Sequence, residues 1–202
     1  MEGTKIRKGE KTKQYVIEKT ALLLNRQGYL TTSLAEITDV TGLQKGGLYN
    51  HFKDKEELLV ESFKYCCTLI DERIKLALES ETTTINQLLA FVELYCGLDF
   101  PGGCPIANAA VEADSVSTPL FQHAQEAMNQ LLDLLEGMIS KGITLKEIRP
   151  YTDSKEAALF ILSSAEGALL MRKLFPANSS ITVIKDQLFR YINEDLKYAD
   201  SN

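Results

Sequence analysis

Apolar residues recur along this chain at intervals of three and four, and no stretch alternates convincingly over strand length. Ile17, Ala21 and Leu24 mark one stripe of a first helix over about Lys11–Gln27, with Gly28 as its stop. Ser33-Leu34-Ala35-Glu36 has capping-box spacing: the serine accepts a backbone N–H while the glutamate reaches back. It opens a short helix that buries Leu34, Ile37 and Val40 and ends at Gly42, where a tight turn takes a positive φ. Another short helix covers Gln44–Phe52, and Asp54-Lys55-Glu56-Glu57 starts a longer one towards Leu78. Beyond a polar break at Glu79–Thr84, helices are expected at about 85–98, 105–114, 119–141, 154–174 and 180–198. Their separators are Asp99–Gly103, Ser115–Thr118, Gly142–Asp153 and Pro176–Asn178. Ile181-Thr182-Val183-Ile184 has strand composition, but Ile181, Ile184, Leu188 and Ile192 continue a helical stripe. The expected fold class is all-α, with short N-terminal helices followed by a larger helical body.

With 202 residues, 45% hydrophobic and 25% charged, the chain carries enough apolar material for a core, and collagen-like or disordered classes are excluded. No apolar run approaches the ~18 residues of a membrane-spanning helix. The N-terminal cations Lys5, Arg7, Lys8, Lys11 and Lys13 precede no apolar stretch, so a cytoplasmic location is expected. Cys66, Cys67, Cys96 and Cys104 form no Cys-x-x-Cys pair, and His51 and His123 lie far from them. No metal site or cofactor is expected. Nucleophile-elbow, His-Glu-x-x-His and dinucleotide signatures are also missing. Gly137–Gly142 has P-loop glycine spacing, but Ile143 stands where that chemistry needs Lys. An enzyme is not expected.

Charge changes the picture. The chain is acidic at −6, yet residues 1–55 hold ten Lys/Arg against six acids, leaving twelve cations against twenty-two acids beyond them. A basic head on an acidic body suits a module that reads DNA. Residues 33–52 have the layout of a helix-turn-helix, whose second helix enters the major groove. With Leu48 at the centre of the buried face, a step of ~100° per residue turns Gly46 and Asn50 outward and puts Tyr49 and His51 on the flanks. Gly46 and Gly47 leave the outer face bare, at a helix-propensity cost of roughly 1 kcal/mol each. Gln44 and Lys45 sit where base edges are read, while Tyr49, His51, Lys53, Lys55, Thr32 and Ser33 can donate to phosphates. The plain alternative makes these helices bundle corners. A helical protein-binding adaptor without DNA binding is a rival class, but it leaves the donor cluster unexplained.

Gly28-Tyr29, Thr32-Ser33-Leu34-Ala35-Glu36-Ile37 and the run Thr41–Leu58 resemble the signature of the TetR family of bacterial transcriptional regulators. The match covers about residues 11–60. The resemblance implies a homodimeric repressor, with a DNA-binding domain at 1–55 and an effector-binding, dimerising domain at 56–202. A small-molecule effector would release it from a palindromic double-stranded operator. By position, it places phosphate contacts on Thr32, Tyr49, His51 and Lys55, and base reading on Gln44–Tyr49. Gly47 stands where the family often has Ser or Thr, so one contact is missing and the operator cannot be copied from a relative.

The body's most unusual stretch is Gly102-Gly103-Cys104-Pro105-Ile106-Ala107-Asn108-Ala109-Ala110-Val111-Glu112. It resembles a Gly-Cys-x-x-x-Asn-x-x-x-Glu pattern of a subset of TetR-like regulators, some electrophile-responsive. Cys104 falls at a helix start, which favours a thiolate, and two glycines give it little expected cover. One reading makes Cys104 a sensor thiol whose covalent modification switches the regulator. The other makes it a small buried residue while Asn108 and Glu112 satisfy neighbouring backbone groups. A non-covalent pocket would be lined by Phe91, Tyr95, Phe121, Met128 and Phe160, with Glu112 or Glu166 orienting a cationic or hydrogen-bonding ligand. In the last two helices, Ser163, Ser164, Ala165, Gly167 and Ala168 allow close approach of a second copy. Leu169, Leu170, Leu188, Phe189 and Ile192 supply apolar area there. The resemblance implies a four-helix bundle with the two-fold mate.

Overall fold

A computed structural model of the chain describes residues 8–112, 118–175 and 180–198. Lys5, Arg7, most of the separator Ser115–Thr118, and Pro176–Asn178 lie outside the described residues, as do residues 113–114 at the end of one expected helix. Among the described residues there are nine α-helices: α1 (Lys8–Gln27), α2 (Leu34–Thr41), α3 (Lys45–Tyr49), α4 (Lys55–Glu79), α5 (Thr84–Cys96), α6 (Pro105–Glu112), α7 (Pro119–Thr144), α8 (Ser154–Leu174) and α9 (Ser180–Arg190). A π-helical turn, Tyr191–Leu196, continues α9, and the only β pairing among the described residues is an isolated bridge between Ile148 and Lys197. The all-α expectation holds, including the helical reading of 181–184.

The chain divides into two compact units, one of Met1–Leu69 with Pro105–Gln125 and one of Ile70–Cys104 with Glu126–Asn202. In the first, Val16, Ala21, Leu24, Tyr29, Ile37, Leu48, Phe52, Leu58 and Phe63 form the core. Each of the Val, Leu, Ile and Phe side chains contributes about 1.5–3 kcal/mol by leaving water. The buried Thr20 and Ser62 hydroxyls meet at 2.9 Å and tie α1 to α4, and the Tyr29 ring meets Phe63 edge-on at 6.0 Å. The Tyr29 hydroxyl donates to Asn25 Oδ1 at 3.1 Å, and burial holds it protonated. Val40 departs from expectation: the buried edge of α2 runs through Ile37 and Thr41, and Val40 falls beside it, exposed.

The second unit is built on Leu88, Phe91, Val92 and Tyr95 of α5, Leu135 and Ile139 of α7, Ile161, Leu162 and Ala165 of α8, and Leu188 and Ile192. Glu147 closes the start of α5 by accepting the Thr84 N–H. Helix α7 runs through Gly142 to Thr144, so the glycine pair at P-loop spacing lies inside a helix. The Arg149 guanidinium donates to the carbonyls of Glu194 and Lys197 at 2.6 and 3.2 Å, fastening the π-helical turn.

Candidate nucleic-acid interface

Helices α2 and α3 are set by local chemistry. The Ser33 hydroxyl accepts from Glu36 N at 3.3 Å and Glu36 Oε2 accepts from Ser33 N at 2.7 Å, completing the capping box. Gly42 ends α2 with φ 69°, its N–H donating to Thr38 O at 2.8 Å. In α3 only Leu48 is buried. Its carbonyl then accepts from His51 N and Phe52 N at 2.9 and 3.1 Å, which carries the chain round to the buried Phe52. Leu48→Ala is accordingly expected to cost about 2–5 kcal/mol, read as a lowered denaturant midpoint of the N-terminal unit.

With Leu48 as anchor, Gln44, Lys45, Gly46, Tyr49 and Asn50 are exposed, His51 and Gly47 are half-buried, and Lys53 and Lys55 follow on the same stretch. Lys45 Nζ stands 6.0 Å from the Tyr49 ring. A Cβ added at Gly46 meets no atom within 4 Å, so nothing inside the chain requires a glycine there. Ser33 is exposed at the start of α2. Thr32 is a different case: it is buried, and its hydroxyl donates to Gly28 O at 2.6 Å. The side-chain donor expected to face a phosphate is bonded within the turn, to Gly28 O.

Two carboxylates brace this segment. The Ser33 backbone N–H and then its hydroxyl hold the Glu36 carboxyl below the ordinary glutamate value of 4.5. Lys13, whose Nζ lies 2.7 Å from Glu57 Oε1, and then the Lys53 N–H do the same for Glu57. Both groups bind fewer protons folded than unfolded, so their stabilisation is complete above 4.5 and is lost as pH falls through the folded values. The denaturation midpoint should therefore fall on acidification below that range, and Glu36→Gln with Glu57→Gln should flatten the fall. An unchanged acid limb in the double variant would rule the two carboxylates out as its source.

In the second unit, Tyr95 and Cys104 both donate to Glu166 Oε1, at 2.7 and 2.9 Å, and the Phe91 ring stacks on Tyr95 at 5.2 Å. Burial, then the neighbouring Cys104 and Glu166, push the Tyr95 hydroxyl up and keep it protonated. Cys104 is only 4% exposed, so its glycines do not leave it uncovered as expected. Its loop is held by three cations of the same unit, for which the sequence pattern gave no sign. Arg73 donates to Asp99 O at 3.3 Å, Lys173 Nζ to Gly102 O at 3.5 Å, and Arg172 to Leu98 O. Asn108 and Glu112 do not join this cluster: they bond to Asn25 and to the Leu30 N–H within the first unit. Phe121 and Met128 are half-buried. Phe160, expected to line a pocket, is 48% exposed on the outer side of α8, edge-on to Tyr191 at 4.8 Å.

Residues 16–61 match the family described as bacterial regulatory proteins, tetR family, and residues 84–188 match the tetracyclin repressor-like C-terminal domain. The chain belongs to the TetR family. It resembles the crystal structure of a TetR-family transcriptional regulator from Cytophaga hutchinsonii, with TM-score 0.91, 30% identity, and coverage of 98% of this chain and 100% of that one. A TetR transcriptional regulator from Chloroflexus aurantiacus gives TM-score 0.90, 30% identity and coverage of 96% and 100%. The transcriptional repressor DhaR of a Mycobacterium species is 25% identical over 185 residues, 87% of this chain and 91% of its own. The protein is thus a helix-turn-helix transcriptional regulator and not an enzyme.

In this TetR regulator the outer face of α8 exposes four apolar side chains, Leu159, Phe160, Leu170 and Leu174, beside the polar Glu156 and Ser163, with Gly167 opening on empty space. Val183 of α9 is exposed as well. Five residues expected to meet a second copy, Ala165, Ala168, Leu169, Leu188 and Ile192, do not lie on such a face. All five are buried inside the chain; within α8, a ~100° step turns Ala168 to the side opposite Leu159 and Leu170. Ser164 and Gly167 are half-buried. Among the described residues no cluster of metal-ligating side chains occurs, and no helix is long and apolar enough to cross a membrane.

Proposed function

We propose that this regulator is a cytoplasmic homodimeric repressor that holds a palindromic operator and is released by a small-molecule effector. In this reading residues 1–55 bind DNA and 56–202 bind the effector and the second copy. The observation that carries it is the exposed face of Gln44–Asn50 around the single anchor Leu48, bare at Gly46 for no internal reason. Gln44 and Lys45 read base edges, and Gly46 and Gly47 let the backbone approach. Ser33, Tyr49, His51, Lys53 and Lys55 bond phosphates, with Asn50 at the rim. Repression is supported by the repressor among the relatives. Dimerisation is supported by the outer face of α8, since apolar patches of this kind mark association surfaces. The effector is received near Phe91, Tyr95 and Glu166, where a carboxylate and a phenol meet beside stacked rings. A covalent switch at Cys104 is not favoured, because the thiol is buried and bonded to Glu166.

Selection of bound sequences from a random duplex pool tests the reading. A palindrome is expected, with half-site centres about 34–36 Å apart or a multiple of that. Lys53→Ala should weaken binding to every duplex and lower the salt slope by about one per head. Tyr49→Ala should cost about five- to tenfold per head with the slope unchanged, because a neutral donor releases no counterion. No enrichment at low salt would overturn the DNA-binding reading.

A further inference from the structure

We propose that Asn108 and Glu112 of α6 are positioning residues for operator binding, clamping the turn that delivers Ser33 and the start of α2. The proposal rests on the DNA-binding reading above. Sequence reading placed these two side chains in an effector site or on nearby backbone, and the geometry favours a definite version of the second. Helix α1 ends at Gln27, and the chain reverses at Gly28 with φ 114°. Asn108 Nδ2 donates to Asn25 O at 3.1 Å and to Asn25 Oδ1 at 3.2 Å, in the last turn of α1. One helical turn along α6, Glu112 Oε2 accepts the Leu30 N–H at 2.9 Å. A donor and an acceptor four residues apart thus grip both sides of the reversal.

Three further features tie the clamp to the recognition helices. Asn25 is 2% exposed, and its Oδ1 also accepts the Tyr29 hydroxyl, so the same amide joins α6 to the core residue that packs on Phe63. The turn is shaped around the carboxylate: a Cβ on Gly28 would strike Thr31 Oγ1 and stand 3.1 and 3.3 Å from the two Glu112 oxygens. Leu30 is half exposed, so packing alone does not hold this backbone in place. Thr32 then donates to Gly28 O, and Ser33 opens α2 three residues after Leu30.

Loss of the clamp leaves the apolar core contacts of α1 to α4 and the buried Ile106 and Ala109 of α6 in place, so α2 and α3 stay folded but are free to shift. DNA must then order what α6 had ordered beforehand, and specific affinity falls by that cost. The full-length protein and the operator recovered from the duplex pool provide the test. Affinity for the operator and for an unrelated duplex, thermal midpoint, and amide exchange at Leu30 are measured together. Glu112→Leu, which leaves the Leu30 N–H unpaired, should weaken operator binding about tenfold and speed exchange at Leu30. Asn108→Asp, which sets a carboxylate against two oxygens of Asn25, should weaken it at least as much. Glu112→Gln keeps an acceptor oxygen and should bind within about threefold of wild type. Affinity for the unrelated duplex should change little in all three.

The proposal is overturned if Glu112→Leu and Asn108→Asp bind the operator as wild type does, or if Glu112→Gln fails like Glu112→Leu. It is also overturned if the losses for operator and unrelated duplex are equal and follow the fall in thermal midpoint. Failure of the wild-type protein to enrich any DNA would overturn the DNA-binding reading, and this proposal with it.

Discussion

Leu170→Glu combined with Leu174→Glu is expected to leave a folded monomer that binds the operator at least a hundredfold more weakly. Both side chains are exposed in the single chain, at 57% and 60%, so the change removes little from its own core. Surface substitutions of this kind usually stay within about 0.5 kcal/mol. In the proposed dimer the same positions lie against a second copy, where two carboxylates from each chain would be stripped of water, a cost of several kcal/mol per buried charge. Operator affinity follows because two linked heads bind as one, and a lone head loses an effective concentration in the millimolar range. Sedimentation should show the monomer, circular dichroism an unchanged helical signal, and titration the lost affinity. Ala168→Glu gives the contrast: Ala168 is fully buried in the chain, so that variant should unfold. A double variant that remains dimeric would exclude this face as the interface.

These two leucines also mark how far the sequence could be read. Periodicity placed the helices well, and 154–174 is reproduced to the residue. Which side of α8 meets its own chain was not legible. Alanines and leucines occur all round this helix, so its pattern has no strong polar face to orient it. Small size pointed to Ala168 as a contact for a second copy, whereas Ala168 packs inside. In α2 and α3 the orientation was legible because polar and apolar positions separate cleanly around Ile37 and Leu48. The grouping of Cys104 with Asn108 and Glu112 failed for another reason. A spacing of four aligns residues on one helix, but Cys104 precedes α6 and turns to Glu166, while the other two reach α1 and the turn after it. The partner Asn25 left one trace: an amide continuing the Ile17–Ala21 spacing, where an apolar residue is expected, and it is 2% exposed.

Gly46→Glu should separate folding from function, raising stability while abolishing operator binding. The new Cβ meets nothing within 4 Å, so no internal contact is lost. Replacing glycine in a helix gains up to about 1 kcal/mol, less near a terminus. Gly46 lies in the first turn of α3, where an acidic side chain adds a few tenths of a kcal/mol through the exposed N–H groups. Against DNA every sign reverses. The side chain fills the face that must approach the groove, and its charge faces the phosphates beside Lys45. A loss of at least a hundredfold is expected at the operator, together with a large loss on any duplex. Gly46→Ala should show the same split in smaller measure, with a single methyl group in the way. Denaturant unfolding and duplex titration of the same preparations provide the check. Unimpaired binding by Gly46→Glu would mean that α3 does not present this face to DNA, and the contacts assigned from Gln44 to Asn50 would have to be withdrawn together.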